Sequence, residues 1–155
     1  TGRGARTVLN VPGGSALLID ESYNANPASM RAAIGLLGQA PVGPQGRRIA
    51  VLGDMLELGG EGVALHRSLA APIEAANVDL VYCSGPLMQA LWEALPSGRR
   101  GGYAETAAAL EPAVLDTIRA GDAVMVKGSL GSKMGPIVKA LERQFPKQTA
   151  LEQSA

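Results

Sequence analysis

The chain of 155 residues has one cysteine, Cys83, and one histidine, His66. A lone thiol cannot close an internal disulfide. Set in an apolar strand pattern, Cys83 reads as a small buried side chain rather than a nucleophile. His66 lies mid-helix at the border of an apolar stripe and reads as a half-buried structural residue sooner than a ligand contact. No second histidine and no further cysteine stand at metal-ligand spacing, so no metal site is expected. Net charge is also missing: 14 Lys and Arg offset 14 Asp and Glu, and no basic run appears. That excludes a general attraction to nucleic acid or anionic membrane, though not a local anion site. No apolar run approaches the ~20 residues of a membrane span, and no charged-then-apolar leader opens the chain. A cytoplasmic, monomeric protein is expected. Two nucleotide motifs are lacking as well. Gly128 and Gly131 are separated by two residues where a Walker A loop requires four, and no G-x-G-x-x-G follows a strand. Nor can a nucleophile, a base and an orienting acid be assembled from the inventory.

What is present is an alternation of apolar strands and amphipathic helices. Residues 6–11 and 15–19 flank Pro12-Gly13-Gly14 and read as a β-hairpin. Buried strands follow at 48–52, 78–82 and 123–126, with a weaker edge strand at 99–103. Between them, Met30, Ala33, Ile34 and Leu37 recur at helical spacing, with Gly38 as a stop. Val63, Leu65, Leu69 and Ile73 mark a second helix, with Pro72 as a kink or early end. Leu87, Leu91 and Leu95 mark a third, Leu110, Val114 and Ile118 a fourth with Pro112 near its start, and Ile137, Val138, Leu141 and Phe145 a fifth. Parallel neighbours need crossovers, so the expected fold is a Rossmann-like, three-layer α/β domain. Its sheet has about six strands, mostly parallel, with one antiparallel edge strand from the hairpin. Residues 1–5 read as a linker remnant of a longer protein, 6–146 as one domain, and 147–155 as a polar, mobile tail.

Three strand-to-helix loops carry unusual polar density, and in a parallel sheet all emerge at one edge. The first is Asp20-Glu21-Ser22-Tyr23-Asn24-Ala25-Asn26-Pro27. Asn26 and Pro27 suit a helix cap and first turn, and Asp20 and Ser22 can satisfy turn amides. Capping leaves Glu21, Tyr23 and Asn24 unexplained, which points to a ligand edge. In the second loop, 53–60, Asp54 and Glu57 suit a cation or ammonium, whereas a hard Mg²⁺ ion would need further oxygens. The third, Lys127-Gly128-Ser129-Leu130-Gly131-Ser132-Lys133, resembles an anion cradle before a helix. Lys127 and Ser129 are its candidates for a carboxylate, and Lys133 is a weaker one.

In order and spacing, the segments 20–27 with Ser29-Met30-Arg31, 52–59 and Val126-Lys127-Gly128-Ser129 resemble the C-terminal domain of the Mur ligases. Within that family they are most similar to the branch that adds D-alanyl-D-alanine to UDP-N-acetylmuramoyl-tripeptide. The resemblance runs through Phe145 and covers only the last of the family's three domains. It implies an ATP-dependent amide ligase of peptidoglycan precursor synthesis, in which a phosphorylated tripeptide carboxylate is attacked by the dipeptide amine. Mg²⁺ would be bound mainly by a central domain outside this chain, and the UDP-sugar by the first. Carried over residue by residue, the resemblance places Glu21 first and then Asp20, Tyr23, Asn24 and Asn26 at ATP. Arg3 falls at the phosphates as a catalytic arginine, and Lys127, Gly128 and Ser129, with Asp54 and Glu57, at the incoming dipeptide. Leu130 departs from the arginine common in that loop. The rivals are another ligase of the superfamily, such as a folylpolyglutamate synthase, and a non-catalytic nucleotide- or partner-binding module.

Overall fold

A computed structural model describes residues 5–148. Six strands form one sheet in the order β1-β2-β6-β3-β4-β5. β1 (Ala5–Val11) and β2 (Gly14–Glu21) pair antiparallel across Pro12-Gly13. Gly13 takes φ +87°, the left-handed conformation that so tight a turn requires. β6 (Ala123–Lys127) pairs parallel with both β2 and β3 (Arg48–Gly53), and β4 (Leu80–Ser84) and β5 (Arg100–Ala104) extend the parallel set. The expected α/β architecture and its antiparallel edge strand are thus both present.

Strand alternation divides the core into two layers. Ile19, Ala50, Leu52, Val81, Cys83 and Met125 face one side. They pack under α1 (Pro27–Gln39), α3 (Ala70–Ala75) and α4 (Met88–Ala94). Leu18, Val51, Tyr82, Val124 and Val126 face the other, under α5 (Ala107–Thr117) and α6 (Gly135–Gln144). Sheets buried on both faces read as near-continuous apolar runs, which is the pattern of β3 and β6.

Several local expectations change. β2 runs two residues further than its apolar core, because β6 offers Val126 and Lys127 as partners for Asp20 and Glu21. Those two acids are therefore strand residues and not loop residues. Gly38 does not stop α1, which ends at an extended Ala40. It is a packing glycine: a Cβ there would lie 2.8 Å from the Cβ of Ala76 and 2.9 Å from its carbonyl oxygen. The second helix is two short ones, α2 (Gly62–Arg67) and α3, broken at residues 68 and 69. Pro72 accounts for the break, since it has no N–H for the Ser68 carbonyl and sits in the first turn of α3, where none is needed. Separated from α3, α2 exposes Val63 and buries His66 completely. Pro112 does not interrupt α5.

Both termini of the expected domain shift slightly. Ala5, expected in the linker, is the first residue of β1. Lys147 and Gln148, expected in the mobile tail, lie against β1, with a bridge between Leu9 and Lys147 and a 2.9 Å bond from the Gln148 amide to the Val8 carbonyl. The cause is β1 itself, whose outer edge would otherwise leave its amides and carbonyls unpaired. Arg3 lies outside the described residues.

Candidate functional site

Five parallel strands end at the same edge, and the loops leaving β2, β3, β4, β5 and β6 line two clefts there. The first, of about 360 Å³, lies between the end of β2, the start of α1 and β6. Glu21 and Lys127 are register partners on adjacent strands. Lys127 is 3% exposed, and its ammonium stands 3.5 Å from Glu21 Oε1 and donates to the Asn24 carbonyl at 2.9 Å. A buried ammonium needs such partners, because desolvation of an unpaired charge costs several kcal/mol. Tyr23, Asn24 and Asn26 complete the polar wall, and Leu36 with Ala32 supplies an apolar one.

Capping and ligand-facing roles coexist in this loop. Asn26 caps α1, its side chain accepting from the Ser29 amide at 2.8 Å, while Ser29 Oγ accepts from the Asn26 amide at 3.0 Å. Asp20 is turned inward to the chain: its Oδ1 accepts from the Ser22 amide at 3.0 Å. Of the two neighbouring acids, only Glu21 lines the cleft.

The second cleft, about 480 Å³, opens on the α5/α6 side between the loops after β3, β4, β5 and β6. Ser129 ties two of these loops together. Its hydroxyl accepts from the Leu56 amide at 2.9 Å, and its own amide donates to the Asp54 carbonyl at 3.1 Å. Asp54 is 4% exposed, and its carboxylate accepts from the amides of Leu87 at 3.1 Å and Met88 at 2.9 Å, at the start of α4. That carboxylate is thus committed within the chain. Glu57 is exposed with φ +63° and lines neither cleft.

His66 anchors the same loop from beneath. Its Nε2 accepts from the Met55 amide at 2.9 Å, so Nδ1 carries the proton and donates to the Gly62 carbonyl at 2.6 Å. His66 is fully buried and not half-buried, because its partner is a loop amide that only the folded chain brings near. Cys83 is buried as expected. Burial, and secondarily the Asp54 carboxylate, push its thiol up to about 12. A thiol so held is not a nucleophile at neutral pH.

The three polar loops of the sequence are therefore regrouped in space. Lys127 joins Glu21 in the first cleft and Asp54 and Lys133 line the second, whereas Ser129 lines neither and instead bonds to Leu56 and Asp54 of the β3 loop. Ser84, Glu105, Thr106 and Glu111 also line the second cleft, and no motif in the chain singles them out. A larger cavity, about 540 Å³, sits at the opposite sheet edge among Gly14, Pro41, Val42 and Gly121. Apart from Asp122, it has no ionisable lining. The Asp122 carboxylate is occupied by the Arg47 guanidinium at 2.8 Å and by the Arg47 and Arg119 amides. Size does not decide between these cavities, and chemistry favours the carboxyl-end clefts. Among the described residues, no group of three or more His, Cys, Asp or Glu could hold a metal ion. No helix among them is long and apolar enough to cross a membrane.

Fold and site together define a doubly covered α/β domain with a two-cleft binding edge at the carboxyl ends of its strands. Residues 8–130 match the family model described as Mur ligase, glutamate ligase domain, and the chain belongs to that family. It is 37% identical over 127 residues to the UDP-N-acetylmuramoyl-tripeptide--D-alanyl-D-alanine ligase of Escherichia coli, covering 81% of this chain and 27% of that protein. The Bacillus subtilis ligase of the same name is 35% identical over 128 residues, with 80% and 27% covered. A crystal structure of MurF from Acinetobacter baumannii superposes with a TM-score of 0.76 at 27% identity, over 92% of this chain and 30% of that one. The chain spans less than a third of the length of these relatives.

Proposed function

We propose that this chain is the C-terminal domain of an ATP-dependent ligase that adds D-alanyl-D-alanine to UDP-N-acetylmuramoyl-tripeptide in peptidoglycan precursor synthesis. The observation that carries the reading is the pairing of Glu21 with Lys127, which joins two of the three family-like loops at one cleft. ATP supplies phosphoryl activation of the tripeptide carboxylate. In this reading Glu21, Tyr23 and Asn24 hold the nucleoside, with Asn26 behind them as the cap of their loop. Glu21 and not Asp20 takes the ribose, since the Asp20 carboxylate serves the Ser22 amide.

The residues of the second cleft hold the dipeptide and keep its amine oriented toward the activated carboxylate. Orientation of two reactants and exclusion of water are what such a domain contributes when it closes on its neighbours. Lys127 acts by fixing Asn24 and Glu21, and Ser129 by tying the loop of Asp54 and Leu56 to β6. A central domain carries most of the Mg²⁺ and phosphate contacts, with Arg3 reaching the phosphates from the junction. The UDP-sugar sits on the first domain. The enzyme is cytoplasmic and monomeric.

The test is an acceptor panel offered to the complete ligase containing this domain. ATP-dependent phosphate release with D-alanyl-D-alanine, and none with glutamate, supports the reading. Preference for glutamate would assign the domain to a folylpolyglutamate-type ligase. Turnover by the 155-residue chain alone would overturn the division of labour, which makes the isolated domain inactive.

A further inference from the structure

Residues 54–56 leave β3 held from several directions. The Asp54 carboxylate accepts from the Leu87 and Met88 amides, and the Asp54 carbonyl accepts from the Ser129 amide. Ser129 Oγ takes the Leu56 amide from the β6 side. Between these, the Met55 amide is held from beneath by His66 Nε2 at 2.9 Å, in a buried bond. Asp54 and Leu56 both line the second cleft, so the shape of that wall depends on these bonds. Residues that never touch a ligand can set its site in this way, by fixing the groups that do.

His66 differs from the other supports in what acid does to it. An unperturbed imidazole titrates at about pH 6.5, whereas hydroxyls and amides keep their protons throughout the neutral range. Nδ1–H already donates to the Gly62 carbonyl at 2.6 Å, so Nε2 is where a second proton must go. Protonated there, the ring is a donor on both sides and meets the Met55 N–H donor to donor. Met55 is fully buried, and its amide is then left without an acceptor. Relief requires the loop to move off the ring. The charged groups on the elements around His66 do not supply another acceptor. Glu57, Glu61, Arg67 and Glu93 are exposed, and the Cys83 thiol, pushed up to about 12 by burial and by Asp54, stays protonated. That leaves Asp54, one residue before Met55, whose carboxylate is engaged by the start of α4.

We propose that His66 is a positioning residue with a pH-dependent grip: its neutral, Nδ1-protonated ring holds the loop after β3 in the shape that lines the second cleft, and a proton on Nε2 releases Met55 and slackens that wall. Acid then weakens whatever the second cleft holds and spares the first, where Glu21, Lys127 and the Asn24 carbonyl make no contact with His66. The inference rests on the reading above in taking D-alanyl-D-alanine as the occupant of the second cleft.

Two measurements on the complete ligase test it. The first follows the KM of D-alanyl-D-alanine and of ATP from pH 8 down to about 5.5, across the imidazole range, in the unmodified enzyme and in His66→Gln. The glutamine oxygen can accept from Met55 and does not titrate. On acidification the dipeptide KM should rise at least about threefold more in the unmodified enzyme than in the variant, with the ATP KM moving alike in both. The dipeptide's own amine titrates identically in the two series, so the difference between them reports His66. The second measurement needs no variant: deuterium uptake by residues 54–62, corrected for the intrinsic pH dependence of exchange, should increase in acid while that of β6 does not. Parallel dipeptide profiles in the two proteins, or protection of 54–62 that is the same at both ends of the pH range, would overturn the assignment. Refusal of D-alanyl-D-alanine by the unmodified ligase at neutral pH would instead remove the proposed function, and the exchange measurement would still decide whether His66 grips the loop.

Discussion

Glu21 and Lys127 are direct register partners on neighbouring parallel strands, 106 residues apart in sequence, with their charged ends 3.5 Å apart. Lys127→Met should leave Glu21 without its cation and the Asn24 carbonyl without its donor. The expected loss is about 1–3 kcal/mol of folding stability, measured by denaturant unfolding. In the complete ligase, Glu21→Ala should weaken ATP use by ~1.5–3 kcal/mol, the range for a charge-assisted hydrogen bond. Asp20→Ala should leave the ATP KM unchanged and cost about 1 kcal/mol of stability, through loss of the Ser22 turn. The reverse ranking of the two acids in ATP KM would refute the assignment of Glu21.

Gly85 is required by the acid beneath it. It adopts φ +112°, and a Cβ there would press on the Asp54 carboxylate. Gly85→Ala combines strained backbone with displacement of that carboxylate from the Leu87 and Met88 amides. A loss of roughly 1–3 kcal/mol from the strain alone is expected. Asp54→Ala should cost about 0.5–2 kcal/mol by uncapping α4. The double variant should lose less than the sum, because the clash disappears with the carboxylate. Full additivity in thermal unfolding would count against this account.

His66 offers a separation of two bonds. Glutamine at 66 can place an acceptor near the Nε2 position, whereas asparagine mimics only the Nδ1 side. His66→Gln should therefore keep the Met55 amide satisfied, and His66→Asn should not. An unsatisfied buried amide costs about 1–3 kcal/mol. The glutamine variant should be the more stable by that margin in equilibrium unfolding, and equal stabilities would rule out the Met55 bond as the reason for a histidine here.

Cys83 should make stability fall in alkali. Its folded thiol titrates near 12, while in the unfolded chain it ionises near 9. Below 9 both states hold the proton and the stabilising preference is fully present. Between 9 and 12 only the unfolded state releases it, so stability drops by up to about 1.4 kcal/mol per pH unit. Cys83→Ala should remove that component of the slope; identical slopes in the two proteins from pH 9 upward would contradict it.

Much of this architecture is legible in the chain because its elements are local. α1 is announced by Met30, Ala33, Ile34 and Leu37, all buried on one face. The 20–27 loop stands out because acids and amides directly follow an apolar strand. What is not legible depends on partners far away in sequence. Asp54 looks like a free acid until α4 brings its amides to it, and His66 looks like a border residue until the Met55 amide meets it. Ser84 lies among strand and turn residues that any α/β domain could contain. Its place in the second cleft becomes visible only when β5 and α5 close around it. The helical stripe through Val63 misled for a related reason: the break at residues 68 and 69 lets α2 take its own orientation, with His66 rather than Val63 facing inward.

The position of β6 between β2 and β3 has a consequence for how the domain assembles. The two halves of the sheet have no direct pairing without it, yet among the described strands it is synthesised last. During translation, β1–β2 and β3–β4–β5 must wait as separate fragments, and the central seam closes only once Lys127 has left the ribosome. Such distant pairings make folding slow relative to helical bundles of the same size. They also make it all-or-none. Both clefts take an edge from β6 or the loop after it, so a nascent chain has neither until the whole sheet snaps shut.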